Sequence, residues 1–311
     1  MRAVIVTAER RLQLQEVADP VPLPSEALVR VQAISLNRGE VRRSRTLSPP
    51  GARLGWDVAG VVEQAAADGN GPKAGERVVG MVTQKGWAER VAVPAHALAA
   101  LPSAVTLAQA ACLPVAGLTA LYALDRGGGL VGKKVLITGA SGGVGHFACR
   151  LARLGGADVV AAIRAPAQAD LVLGYGAHRV TVIGDEPARA AAEGPYDLIV
   201  DSIGGESLGA SLTMLAANGL CVFVGISSVP EVRFDASKFF WAGGASLYGM
   251  ILFREVVTRE PAGQGLKRLL RFVADGSLVP DIALERPWTE IDAVAEQLMQ
   301  RSYAGKAVLH L

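Results

Sequence analysis

A fully apolar segment, Val135-Leu136-Ile137, runs directly into the glycine-rich stretch Thr138-Gly139-Ala140-Ser141-Gly142-Gly143-Val144-Gly145 and then into a helical pattern reaching about residue 154. A second apolar run, Val159-Val160-Ala161-Ala162-Ile163, follows. Strand, tight turn, helix and strand, with neither strand showing a polar face, leave few folds open. The strands must lie parallel and be covered on both sides. The alternation continues, with a helix over 166–175, strands over 179–183 and 198–200, a helix over 206–216 and a strand over 220–224. Ser246-Leu247-Tyr248-Gly249-Met250-Ile251-Leu252 reads as the last strand. The fold class is α/β, with a doubly wound parallel sheet.

The residues before this region have another texture. Runs over 1–8, 27–35, 57–64 and 76–82 are short and β-branched, separated by punctuation such as Pro20-Val21-Pro22-Leu23-Pro24. They predict a β-rich domain, and 311 residues suit two domains better than one. After residue 252 a helix over about 265–274 and a final strand over 307–311 predict a tail that returns to the first domain.

Composition removes several classes of function. Lys plus Arg number 31 against 29 Asp plus Glu, a net charge of +2, which gives no electrostatic case for nucleic acid as a partner. Residues 91–124 contain no charged side chain, but Pro94, Pro102 and Pro114 interrupt them, and a strand, a loop and a buried helix are expected there rather than a membrane span. Cys112, Cys149 and Cys221 are odd in number and widely spaced, so neither a disulfide framework nor a zinc site is expected. An N-terminus with only a short apolar run before Glu9 predicts a cytoplasmic protein without a signal peptide.

The turn itself reads A-x-G-x-x-G, with Ala140 in the place of a first glycine. In a strand–turn–helix frame it predicts a dinucleotide site, with Gly142 admitting a pyrophosphate and Gly145 letting the helix pack close. Ser141, Gly142, Gly143, Val144 and Gly145 are the expected phosphate cradle, since a helix N-terminus offers free N–H groups and a partial positive charge. The bland reading is a glycine-rich turn that binds nothing. An acidic residue at the end of the second strand would select NAD; Arg164 stands there instead, and its permanent planar charge predicts NADPH. A solvated surface arginine is the competing reading. Ser202-Ile203-Gly204 and Gly225-Ile226-Ser227 follow later strands and are expected beside the cofactor.

Several further stretches complete a pattern. They are Ser35-Leu36-Asn37, Gly55-Trp56-Asp57-Val58-Ala59-Gly60, Gly75-Glu76-Arg77-Val78, Gly86-Trp87-Ala88-Glu89, Pro114-Val115-Ala116-Gly117-Leu118-Thr119-Ala120, Asp201-Ser202-Ile203-Gly204-Gly205 and Gly305-Lys306-Ala307-Val308-Leu309. In this order the chain resembles the medium-chain dehydrogenase/reductases, in the zinc-independent branch of quinone oxidoreductases and enoyl reductases. The resemblance implies a GroES-like substrate domain from 1–112 and 256–311, a Rossmann domain from 113–255, and a cleft where nicotinamide meets substrate. Zinc-dependent relatives carry a cysteine near Arg38–Glu40 and Gly-His-Glu where this chain has Gly55-Trp56-Asp57. No metal is expected.

Without a Lewis acid, an acceptor that is already electron-poor is favoured, a quinone, an enone or an enoyl thioester. By resemblance, Asn37 and Thr119 line the nicotinamide end as catalytic residues; a turn-forming Asn and a capping or packing Thr are the plain alternatives. Relatives place a Tyr a few residues beyond the Asn, where this chain has Arg42, so no proton donor carries over and water can serve. Relatives also carry a Lys and a Tyr where Gln168 and Ile183 stand here, with His178 or Arg179 as conceivable helpers for Arg164. The arginines at 38, 42, 43 and 45 can bind an acidic substrate, with Arg42 the substrate-binding candidate, or form a solvated basic loop. Trp241 and Phe253 can wall a substrate pocket, although core or interface packing is the commoner role. The strand at 246–252 is expected to pair across a homodimer. Two other readings remain open on this fold: a non-catalytic NADPH-binding redox sensor, and a biosynthetic cyclase or lyase.

Overall fold

The computed structural model describes all 311 residues, Met1–Leu311. They divide into one unit of Met1–Leu118 with Val256–Leu311 and a second of Thr119–Glu255. The first division falls inside a helical run over residues 107–126.

In the first unit β1 (Arg2–Val6) and β2 (Leu12–Glu16) form an antiparallel pair. The ten-residue β3 (Glu26–Ser35) organises the main sheet, because Ala27, Val29, Val31 and Ala33 all point to the core. One edge of β3 pairs with β4 (Asp57–Gln64), which pairs in turn with β5 (Arg77–Met81). The first half of its other edge takes β6 (Arg90–Pro94), while β7 (Leu98–Ala100) extends the sheet beyond β5.

The second unit holds one parallel sheet: β8 (Lys134–Thr138), β9 (Asp158–Ile163), β10 (Arg179–Val182), β11 (Tyr196–Asp201), β12 (Leu215–Phe223) and β13 (Ser246–Gly249). Their order is β10-β9-β8-β11-β12-β13. The chain goes outward from β8 in one direction, then crosses back to β11 on the other side. The carboxyl ends of β8 and β11 therefore flank the switch point where ligands bind in such sheets. Leu136, Val160, Ile199 and Cys221 belong to the core that fixes these strand ends.

The tail does return to the first unit. β15 (Lys306–His310) pairs antiparallel with the last three residues of β3, and β14 (Ile282–Pro287) lies parallel to β15. Asp292 fastens the return, accepting from the Leu12 N–H at 2.8 Å and pairing with Arg45 at 2.9 Å.

Several local readings are corrected. Residues 38–46 form a helix, Arg38–Thr46, rather than a loop; Val41 and Ser44 face inward and Arg42 and Arg43 outward. Two of its arginines have fixed partners: Arg38 caps the Leu298 and Met299 carbonyls of the helix Ile291–Met299, and Arg45 meets Asp292. The helix after β11 stops at Leu212, and β12 begins earlier than its apolar run, at Leu215. The uncharged stretch 91–124 breaks into β6, a short turn, β7 and helical segments, and no helix is long and apolar enough to cross a membrane.

Leu309 lies two residues from the chain end yet is fully buried opposite Ile34. Leu309→Ala is expected to cost about 2–5 kcal/mol in urea unfolding. A loss below about 1 kcal/mol would show that the returning strand is not integral to the core.

Candidate functional site

The glycine-rich turn leaves β8 through Gly139, whose backbone is left-handed at φ +60°. The tight-turn duty of the missing first glycine is thus met one residue earlier, while Ala140 is fully buried. Gly145 opens the helix Gly145–Leu154, and a Cβ there would lie 2.3 Å from the Gly139 carbonyl oxygen. Only glycine lets this helix start so close to its strand. The N–H groups of Gly143, Val144 and Gly145 donate to no protein acceptor, as a helix start facing phosphate oxygens requires.

Asp201 at the end of β11 organises the neighbouring loops. One of its oxygens accepts from the Ile203 and Gly204 N–H groups at 3.0 and 2.8 Å; the other accepts from Thr138 Oγ1 at 3.0 Å and Ser207 Oγ at 2.7 Å. The carboxylate is fully buried with no cation, and these donors take the place of lost water. Ser202 Oγ in turn donates to the Thr138 carbonyl, and Ser227 Oγ to the Ser202 carbonyl, each at 3.1 Å. The Ser227 N–H reaches the Ile203 carbonyl at 2.9 Å. Gly139, Ser202, Ile203, Gly204, Gly225, Ile226 and Ser227 are thereby gathered at the carboxyl ends of β8, β11 and β12.

Arg164 follows β9 with its side chain 64% exposed, 3.8 Å from Asp185. Beside it stands a residue whose part the sequence did not disclose. Gln168 Oε1 accepts from the Arg164 and Ala165 N–H groups at 3.2 Å each, and its Nε2 donates to Ser141 Oγ at 2.8 Å. One amide thus ties the glycine turn to the end of the second strand. A glutamine four residues after Arg164 in a short helical turn was the available signal. His178 and Arg179 sit at the opposite, amino end of the strands. His178 Nδ1 accepts from the Val159 N–H at 3.0 Å, and Arg179 pairs with Asp158 and Glu193. Neither can assist Arg164.

The first unit carries a buried polar cluster. Asn37 donates from Nδ2 to Asp57 Oδ2 at 2.7 Å and to Glu40 Oε1 at 3.1 Å, while its Oδ1 accepts from Lys306 Nζ at 2.7 Å. Lys306 also donates to the Leu36 carbonyl at 2.9 Å and lies 3.6 Å from Asp57 Oδ2. Asp57 accepts from Ser35 Oγ at 2.6 Å and from the Val115 N–H at 2.9 Å. Glu40 takes the Asn37 N–H at 2.8 Å, starting the helix, but its Oε2 is buried without a partner. Burial, reinforced by nearby Asp57, pushes the Glu40 carboxyl well above its ordinary range. The protonated form of Glu40 is therefore favoured beside the Asp57–Lys306 pair. Cys112 lies in the same region, and burial raises its thiol to about 12, so it stays protonated.

The other expected residues are more dispersed. Thr119 is buried at the start of the helix Leu118–Arg126. Arg42 is on the exposed face of its helix. Trp241 is 80% exposed and stacks edge-on against Phe240, so it is no core residue, and Phe253 is half-buried in the helix Leu252–Thr258. Trp56, where zinc-dependent relatives carry histidine, is buried and donates to the Thr83 carbonyl at 3.0 Å.

Residues 23–103 match the alcohol dehydrogenase GroES-like domain, and residues 143–269 match the zinc-binding dehydrogenase family. A quinone oxidoreductase from Pongo abelii is 30% identical over 317 residues, covering 96% of this chain and 94% of the relative. The chain belongs to the medium-chain dehydrogenase/reductase superfamily. It falls in the quinone oxidoreductase and enoyl reductase branch of these oxidoreductases. A spectinabilin polyketide synthase system protein from Streptomyces orinoci is 37% identical over 222 residues, 70% of this chain but only 10% of that much longer protein. Among solved structures, a mycobacterial protein complexed with NADPH superposes with a TM-score of 0.90 at 25% identity, over 100% of both chains.

The neutral Glu40 makes a prediction about pH. Its folded pKa lies above the unfolded value of about 4.3, so the unfolded chain releases the proton first as pH rises. This group's contribution to stability therefore declines with pH above that value, until the folded pKa is reached. Glu40→Gln is expected to flatten that decline in denaturant midpoints measured from pH 4 to 8. An unchanged slope would mean that Glu40 is ionised in the fold. Lys306→Met, which strands Asp57, is expected to cost about 3–5 kcal/mol at every pH in that range.

Proposed function

We propose that this protein is an NADPH-dependent, metal-independent reductase of electron-poor acceptors, a quinone or an α,β-unsaturated carbonyl. The observation that carries the reading is the corner built by the glycine turn, Arg164 and Gln168. It combines unpaired N–H groups for a pyrophosphate with an exposed guanidinium, 3.8 Å from Asp185, where an NAD site would carry an acid. The mycobacterial structure with NADPH and the quinone oxidoreductase relative support the cofactor and the acceptor class. The polyketide synthase relative keeps an enoyl thioester within that class.

NADPH, when bound, supplies the hydride. The protein's residues hold and orient: Ser141 to Gly145 take the diphosphate, Arg164 the 2′-phosphate, and the loops at Ser202–Gly204 and Gly225–Ser227 flank the rest. Asn37 and Thr119 serve the nicotinamide end. Both N–H bonds of the Asn37 amide are already given to Asp57 and Glu40, so toward a ligand Asn37 acts only as an acceptor through Oδ1. Arg42, Trp241 and Phe253 serve the acceptor, and water supplies the proton. The metal-independent reading is supported by Trp56 in the place of a ligand and by the lack of any group of three His, Cys, Asp or Glu able to hold a metal. The exposed edge of β13, with Leu247 47% and neighbouring Ile251 64% exposed, supports a homodimer paired along that edge. Three buried free cysteines suit the cytoplasm.

Nicotinamide fluorescence titrations are expected to show NADPH binding at least about tenfold tighter than NADH. Arg164→Ala is expected to remove most of that preference and to leave NADH affinity nearly unchanged. A preference for NADH in the parent protein would overturn the cofactor assignment.

A further inference from the structure

A cavity of about 420 Å³ opens in the first unit, between the end of the helix Arg38–Thr46, the loop after it and the turn at Gln84-Lys85. Arg43, Arg53 and Lys85 line it, and no carboxylate does. None of the three side chains pairs with an acid anywhere in the protein. Nearby arginines contrast with them: Arg11 and Arg45 pair with Asp292, and Arg38 caps two carbonyls. A further positive charge approaches, because the Arg10 guanidinium donates to the Ser48 carbonyl on the same loop.

Arg53 is the decisive member. It is half-buried, its Nε is shut from solvent without a hydrogen-bond partner, and burial lowers its pKa with no acid to offset the shift. Lys85 is held beside it, since its N–H donates to the Arg53 carbonyl at 3.2 Å. Lys85 also has a left-handed backbone, φ +66°, a conformation that costs a non-glycine residue energy. Three cations gathered around one hollow repel one another, and a ligand carrying at least two negative charges relieves that repulsion. Planar guanidinium forks match phosphate oxygens in pairs, and Lys adds a point charge. Ser48 and Gln84 offer neutral polar groups, and Leu47 and Leu54 an apolar wall, for an organic remainder.

We propose that this cavity binds the phosphate groups of an organic di- or polyphosphate. Two sources share that chemistry: the phosphate arm of a thioester substrate, and a free phosphorylated ligand. Binding stands apart from the reductase reading; only the link to turnover rests on it.

The test is calorimetric titration of the full chain with inorganic pyrophosphate and with coenzyme A, in saturating NADPH so that the glycine turn is filled. Both probes are expected to bind, and Arg43→Gln/Lys85→Gln, at two exposed positions, to weaken them at least about tenfold. Arg53→Gln is expected to do the same where it folds. If neither probe binds, or the double variant binds them as tightly as the parent, the proposal fails. Tighter binding of coenzyme A than of pyrophosphate, with KM for a coenzyme A thioester rising in the double variant relative to KM for a phosphate-free enone, identifies a substrate arm. Equal affinities with an unchanged KM ratio identify a free ligand. Probe binding that depends on Arg43 and Lys85 in a protein that passes hydride from NADPH to none of the quinones, enones and enoyl thioesters offered would sink the reductase reading and leave this proposal standing.

Discussion

Asp57 and Lys306, buried 3.6 Å apart with Asn37 between them, hold the first unit together across nearly the whole chain. Neither ion is favourable in the interior alone, and replacing either partner strands the other charge. The pair persists because every donor around it has an acceptor: Ser35 and the Val115 N–H fill Asp57, and the Leu36 carbonyl and Asn37 fill Lys306. Burial favours the protonated form of Glu40, which keeps a third charge away from the pair. β15 consequently has a fixed register against the end of β3, and the helix Arg38–Thr46 a fixed starting point. Asn37, at the junction, is held more firmly than a surface turn residue would be.

The second unit solves a similar problem without an ion pair. Asp201 is as buried as Asp57, yet its partners are two backbone N–H groups and the hydroxyls of Thr138 and Ser207. Hydrogen bonds to the charged form stabilise it there. The loops after β8, β11 and β12 are laced together through this group, so the face offered to a dinucleotide is set before any ligand arrives. Preorganisation of that kind reduces the ordering cost of binding. The exposed Arg164 is the exception. Its backbone is fixed by Gln168, while its side chain stays exposed at the surface with only a loose 3.8 Å contact to Asp185.

Set against these satisfied networks, the Arg43, Arg53 and Lys85 cavity stands out as a place where like charges are unrelieved. Other surface cations of the first unit meet acids, as Arg2 meets Glu89 and Arg90 meets Glu63 and Asp19. Three cations around one hollow, with no carboxylate among its lining, are a local conflict of the kind that accompanies function.

Much was legible before any coordinates. The apolar strands, the A-x-G-x-x-G turn and the Arg after β9 are local patterns, and steric and hydrophobic rules act on them within a few residues. They determined a doubly wound unit with its ligand face at the carboxyl strand ends. The edge strands β2, β7 and β14 were not legible, because short, half-exposed strands show little periodicity. Nor was the helix at 38–46, whose arginines hid the inward pair Val41 and Ser44. Gln168 as a bracket, Glu40 as a neutral acid and the cavity cations were decided by tertiary structure alone. A hydrogen bond or a shifted proton depends on which groups meet in space. Asn37 and Lys306, Ser141 and Gln168, and Arg43 and Lys85 meet only once the chain has folded.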